Sequence, residues 1–289
     1  MAGVGAKDIK RRIKSVQNTM QITKAMELVA SSKLRKGKEK VEHSRPYFRI
    51  LKETMQKIAM NTKGLKSPFL EKREEVKNRG YIVIAGDRGL AGGYNSNVLK
   101  TALGHMEGKK EKIIAIGRKS VEFFEKRDYE MVGSYMGIAE DLEYGVTNEI
   151  ATIGADLYKS GDIDELYIVY TEFVSTISQQ PQIIKLLPMT MEKDKSETEA
   201  EKRGGLVIYE PSEESVFGTL VPKYLSGVLF GTILESYASE QGARRTAMES
   251  ANDNAEEMIS SLELKYNRAR QASITQEISE IVAGAEALK

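Results

Sequence analysis

Cysteine and tryptophan are absent from this 289-residue chain, and histidine occurs only twice, as His43 and His105. Without cysteine there is no disulfide, no thiolate nucleophile and no sulfur-ligated metal. Two isolated histidines do not furnish a histidine-rich metal site or a Ser-His-Asp triad. Net charge is almost lacking too. Forty-three basic against 42 acidic residues leave +1, so no overall polycation points to a nucleic acid. No run of about 18 apolar residues is present, so no membrane-spanning segment is expected. The N-terminal MAGVGAKDIKRR has no apolar centre of a secretory signal. The chain is therefore expected to stay in the cytoplasm and to meet a membrane only through a bound partner.

Proline is scarce in a patterned way. Its six positions, 46, 68, 181, 188, 211 and 222, leave residues 1–45 and 223–289 free of it. Across 7–60 one register runs in alternating steps of four and three: Ile9, Ile13, Val16, Met20, Thr23, Glu27, Ala30, Leu34, Gly37, Val41, Ser44, Phe48, Leu51, Met55 and Ile58. A seven-residue apolar repeat held this long predicts a left-handed supercoiled helix. Pro46 lies inside it, off the seam, where it removes one hydrogen bond and bends the rod. The C-terminal span keeps the same alternation through Val216, Leu220, Lys223, Gly227, Phe230, Leu234, Tyr237, Gln241, Arg244, Met248, Ala251, Ala255, Met258, Leu262, Lys265, Ala269 and Ala272. Beyond these the stripe moves to Ile274, Ile278, Ile281, Ala285 and Leu288, a new face. Helices of this length are not stable alone in water. An antiparallel pair is expected, with the tip of the longer C-terminal arm leaving the pair to touch something else.

Charge is segregated between the arms. Residues 1–40 hold eleven basic and three acidic residues, a net of +8, whereas 235–289 hold six basic and ten acidic, a net of −4. Such runs serve as solvated faces against an acidic neighbour, or as docking faces for partners with acidic loops. The aromatic interleaving of a single-strand nucleic-acid binder is missing.

Between the arms the period changes. Tyr81–Ala85, Lys112–Ile116, Glu130–Val132 and Glu165–Thr171 read as strands, with helices from Ser96, around Val121–Phe124 and over 141–160. Ile183–Leu187 reads as a hairpin partner of the 165–171 strand. Strand–helix alternation at this spacing predicts an α/β unit with a mainly parallel sheet. The chain thus divides into an N-terminal arm, 1–60, a connection, 61–77, a Rossmann-like α/β domain, 78–190, a second connection, 191–210, and a C-terminal arm, 211–289, pairing with the first. The fold class is α+β or α/β with a long antiparallel coiled coil. Residues 191–203, polar and charged, read as a loop.

One loop invites a nucleotide reading. Gly86–Asn95 is a glycine-rich turn between strand and helix, the setting in which backbone amides meet phosphate. Its glycines, 86, 89, 92 and 93, match neither GxGxxG nor GxxxxGK[ST], so a structural turn is the default. Asp162 and Asp164, on a Gly-Asp-Ile-Asp-Glu turn, read as capping groups, and His105 as a partner of a helix C-terminus. No acid, base and nucleophile converge. The chain reads as non-catalytic, with no cofactor and no metal.

Three segments carry a family resemblance. Ile13-Lys-Ser-Val-Gln-Asn-Thr-Met-Gln-Ile-Thr-Lys-Ala-Met-Glu-Leu-Val29, Asp87-Arg-Gly-Leu-Ala-Gly-Gly-Tyr-Asn95 and Tyr266-Asn-Arg-Ala-Arg-Gln-Ala-Ser-Ile-Thr-Gln-Glu-Ile278 resemble the gamma subunit of bacterial F-type ATP synthases. Glu240-Gln-Gly-Ala-Arg-Arg-Thr-Ala-Met248, Asn252-Asp-Asn254 and Tyr209-Glu-Pro211 fit as well. The resemblance implies a rotor shaft whose paired arms thread a hexameric ring of alternating alpha and beta subunits. Its α/β domain would sit beside the epsilon subunit on the membrane ring of c subunits. It implies that proton flow turns the shaft, that ATP chemistry belongs to the beta subunits, and that the chain lies on the cytoplasmic face of the cell membrane. By the same resemblance Arg244, Arg270, Gln271 and Thr275 contact an acidic loop of a beta subunit. Met26 belongs to the facing N-terminal segment, with Lys24 and Glu27 on the same turns, while Tyr209 and Glu210 lie toward the c-ring and epsilon. Gly242 stands where a bulkier helix former is more usual, which implies a locally softer helix. The competing reading is a coiled-coil-armed nucleotide- or nucleic-acid-binding protein using Gly86–Asn95 or the +8 arm.

Overall fold

A computed structural model describes residues 5–61, 67–71, 73, 75–106, 108, 110–189 and 209–287. The charged segment 191–203 lies outside the described residues. Ten elements follow in order: α1 (Ala6–Asn61), β1 (Arg79–Ile84), α2 (Tyr94–His105), β2 (Lys112–Ile116), α3 (Arg118–Glu125), β3 (Glu130–Tyr135), α4 (Tyr144–Ser160), β4 (Glu165–Phe173), β5 (Gln179–Leu187) and α5 (Glu213–Ala287). Pro46 and Pro222 lie within α1 and α5. Two compact units emerge: Met1–Ser31 with Arg244–Lys289, and Ser32–Ala243.

The first unit is a helix pair. Lys24 meets Glu256 at 3.1 Å, while Glu27 accepts from Asn252 Nδ2 at 2.9 Å. The partner number falls as the α1 number rises, so the helices are antiparallel. The seam on α1 is the one read from the heptads, with Ile9 and Ala30 buried and Ile13, Val16, Met20, Thr23 and Glu27 half-buried. On α5 alternate seam positions shift by one residue, while Ala255, Leu262 and Ala269 hold. Asn252, Ala255, Ile259, Leu262, Tyr266 and Ala269 face inward, whereas Met258 and Lys265, assigned to the seam by the repeat, are exposed. Ile259 and Tyr266 have more apolar surface to bury than Lys265, whose ammonium stays in water. From residue 270 to 285 every α5 residue is exposed, as the expected free tip requires.

The second unit is built on a five-stranded sheet in the order β3-β2-β1-β4-β5. β1 pairs in parallel with β2 and β4, β2 in parallel with β3, and β5 runs antiparallel to β4. Both faces are covered, so the strands alternate between two cores rather than between core and water. Tyr81, Val83, Ile113, Ala115, Tyr167 and Val169 face α2 and α3, with Val98, Ala102 and Phe124. Ile82, Ile84, Ile114, Ile116, Leu166 and Ile168 face α4, the end of α1 and the first part of α5.

That last contact departs from the sequence reading. Phe217, Val221, Leu225, Leu229 and Ile233 form an i+4 stripe, all fully buried in the sheet's core. Gly227, Leu234 and Tyr237 are also buried, and Gly37 of α1 brings its backbone against Tyr237 and Ala238. Within this unit α5 is thus apolar on two sides. By length and composition α5 holds an 18-residue window, mean hydropathy 1.3, apolar enough to cross a membrane, although no such segment is expected from the sequence. Its large apolar side chains are spent on the protein core instead.

At its far end β4 outlasts β1. The β1 pairing stops at Val83–Val169, while β4 continues to Phe173 beside β5. Thr171 lies opposite Pro181 of β5. Its backbone N–H and C=O both turn the other way, into α5: the N–H donates to Ser236 Oγ at 3.1 Å, and the C=O accepts from Ser239 Oγ at 3.1 Å.

Candidate functional site

In open α/β sheets a ligand lies at the carboxyl ends of the strands where the strand order reverses. Here that point is between β1 and β4, and the Gly86–Asn95 loop leaves β1 directly at it. The place is filled by the chain itself. The Gly86 N–H donates to Asn95 Oδ1 at 2.8 Å, and Asn95 Nδ2 donates back to the Arg88 carbonyl at 3.1 Å. Asp87 Oδ1 accepts from the N–H groups of Arg118, at the N-terminus of α3, and of Gly137, both at 2.9 Å. A carboxylate thus holds the helix N-terminus that could have met a phosphate. Above Gly86 lies a second carboxylate, from Glu240 of α5. A β-carbon on Gly86 would stand 2.8 Å from its carboxyl carbon and 2.9 Å from Oε1. Glu240 is 6% exposed.

Four α5 residues grip this edge of the sheet. Besides Ser236, Ser239 and Glu240, Glu235 Oε1 accepts from the Phe173 N–H at 3.3 Å. Burial, then the charges of Glu235 and Glu172, push the Tyr170 phenol up to about 12. The sequence reading missed this set, because serines and glutamates on a helix resemble solvent positions. Their signal is the spacing 235, 236, 239, 240, one helical face continuing the buried stripe that ends at Ile233.

The other sequence candidates are structural. The carboxylate of Asp164 accepts from the N–H groups of Lys77 and Asn78 at 2.8 and 2.9 Å and meets Arg73, which ties the entry of β1 to β4. Asp162 accepts from Ser160, and this bond, then the charge of Lys112, holds its carboxyl below the usual range. His105 ends α2, its Nδ1 2.8 Å from Tyr81 Oη. Among the described residues no group of His, Cys, Asp and Glu could hold a metal ion.

The partner-facing residues separate into two kinds. Arg270, Gln271 and Thr275 are exposed on α5, the Thr275 hydroxyl donating to the Gln271 carbonyl at 2.9 Å. Arg244 lies 26 positions earlier on the helix, roughly 39 Å away at about 1.5 Å per residue. It is 8% exposed and engaged within the chain. Met26 is half-buried one position from the seam. Tyr209 packs on the sheet's core, whereas Glu210 is exposed beside it. The structure therefore brings together Arg270, Gln271 and Thr275, and keeps Arg244 and Met26 apart from them.

The sheet is filled at its own ligand position by Asn95, Asp87 and Glu240, and it comes with long paired helices in the same chain. The ATP synthase family model matches residues 5–288. The ATP synthase gamma chain of Alkaliphilus metalliredigens is 53% identical over 289 residues, covering 99% of this chain and all of that one. The sodium-ion-specific gamma chain of Acetobacterium woodii is 48% identical, covering 97% and 98%. In fold, a chain from the Euglena gracilis mitochondrial ATP synthase, solved as OSCP/F1/c-ring, superposes with a TM-score of 0.69 at 19% identity, covering 98% of this chain and 94% of that one. The chain belongs to the ATP synthase gamma-chain family.

Proposed function

We propose that the chain is the central rotor shaft of a rotary ATP synthase, coupling rotation of a membrane c-ring to the nucleotide cycle of the beta subunits. The observation that carries this reading is the end-to-end likeness to gamma chains, which spans both helical arms and the sheet. Its partners are then the alpha and beta subunits of the ring, the epsilon subunit and the c-ring. Catalysis lies in beta, and the chain is a peripheral protein on the cytoplasmic face of the cell membrane. The shaft reading holds for proton or sodium coupling alike, as the A. woodii relative is named for sodium.

Within this role Arg270, Gln271 and Thr275 are the residues poised to meet an acidic loop of beta, because they are exposed and lie within two turns of α5. Arg244 and Met26 reach the same partner family at other heights, and Tyr209 and Glu210 lie toward the c-ring and epsilon. The filling of the sheet edge by Asn95, Asp87 and Glu240 counts against the nucleotide-binding alternative.

Co-expression with alpha and beta subunits tests the proposal. The expected result is a stable complex with ATPase activity, slowed when Arg270→Glu is combined with Gln271→Ala. Tight ATP or oligonucleotide binding by the chain alone, without ring assembly, would overturn the rotor reading. Unchanged turnover in the double variant would remove those two residues from the interface.

A further inference from the structure

We propose that Glu240, with Ser236 and Ser239, is the key that locks the shaft helix against rotation within the α/β unit; this rests on the rotor reading. The apolar stripe from Phe217 to Ile233 gives cohesion by close packing but no hydrogen bond of fixed direction. A helix transmitting torque needs directional contacts, and they begin where the stripe ends. Ser236 and Ser239 hold the N–H and C=O of one residue, Thr171, at the overhanging end of β4. One turn from Ser236, the Glu240 carboxylate is wedged against Gly86 and beside Asn95, where β1 ends. Two neighbouring strand ends are thus gripped by one helical face. Turning α5 about its axis in either direction breaks the Thr171 bonds or drives the carboxylate into the Gly86 backbone. Gly86 is what admits the wedge, since any β-carbon there would occupy the carboxylate's place.

Glu240 acts here as a positioning residue, and the measurement that separates positioning from mere stability is the number of ions pumped per ATP hydrolysed. Complexes carrying Glu240→Ala or Glu240→Gln are assembled in vesicles, and hydrolysis and ion uptake are measured together. With Glu240→Ala, hydrolysis continues while uncoupled turnover rises about fivefold, the population change that about 1 kcal/mol of lost contact produces. Glu240→Gln keeps the shape of the wedge and restores coupling. An assembled Glu240→Ala complex that pumps as many ions per ATP as the wild type overturns the key. If Glu240→Ala does not assemble, Ser236→Ala with Ser239→Ala decides by the same ratio. Failure of the wild-type chain itself to join the ring is a different outcome, and it overturns the rotor reading instead.

Discussion

The carbonyl oxygen of Ala85 lies 2.0 Å from the point where a β-carbon on Gly117 would be. Gly117 also has φ +86°, in the region that L side chains rarely adopt, and its N–H donates to Tyr135 O at 2.7 Å. The crossing from β2 to α3 therefore depends on a missing side chain. Gly117→Ala is expected to cost more than about 2 kcal/mol, since both the dihedral and the clash oppose it. Chemical denaturation of the chain checks this; a midpoint within error of wild type would contradict the geometry.

Gly242 has the opposite character. A β-carbon there meets Phe173, Gln179 and the Thr176 carbonyl at 3.4–3.5 Å, ordinary contact, and the residue is helical. Gly242→Ala should stabilise the chain by about 0.5–1 kcal/mol through helix propensity. A rise in the thermal midpoint is the expected reading, and a fall would mean the glycine serves a closer approach than the structure has.

In the helix pair, Asn252 is 5% exposed and bridges Thr23 to Glu27. Asn252→Ala removes the cross-helix bonds to Thr23 and Glu27, while the Thr23 hydroxyl keeps the Thr19 and Met20 carbonyls as acceptors, and is expected to cost about 0.5–1.5 kcal/mol. Hydrogen exchange along residues 16–30 should quicken in step. Protection unchanged in this stretch would show that the apolar seam alone sets the pairing.

Acid should weaken the fold in part through Glu165. Burial by itself raises its pKa, but hydrogen bonds from Lys185, Tyr167 and Arg79, with the Lys185 charge, outweigh this and hold it below the usual 4.5. A lowered carboxylate adds stability above its unfolded value, and the gain is lost as pH falls through the folded value. The stability gap between wild type and Glu165→Gln should therefore be full at neutral pH and close below about 4.5. Denaturation at a series of pH values follows it, and a constant gap down to pH 3 would rule out the linkage.

Much of this architecture is legible in residues. Lys112–Ile116 is a strand because both of its faces are apolar, and the N-terminal arm follows from a heptad whose apolar register runs on past Pro46. The second face of α5 is not legible in the same way. The stripe Phe217–Ile233 runs in steps of four beside a seam in steps of three and four, and the two sum to a helix apolar all round. Its partition between α1 and the sheet exists only once the sheet is there. Ser236, Ser239 and Glu240 look like surface positions until β1 is found to stop before β4 does. Arg270, Gln271 and Thr275 are exposed and carry no apolar or helical pattern that would single them out. Their proposed role rests on the family resemblance of 266–278 alone.

Pro181 closes the matter on the opposite side of β4. At its position, opposite a Thr171 whose bonds all point into α5, the backbone of β5 faces outward, and proline has no N–H to offer there. A sixth strand arriving at this edge would miss a donor in the middle of its ladder. The sheet is thereby guarded against growth by strand addition, the route by which exposed edges aggregate.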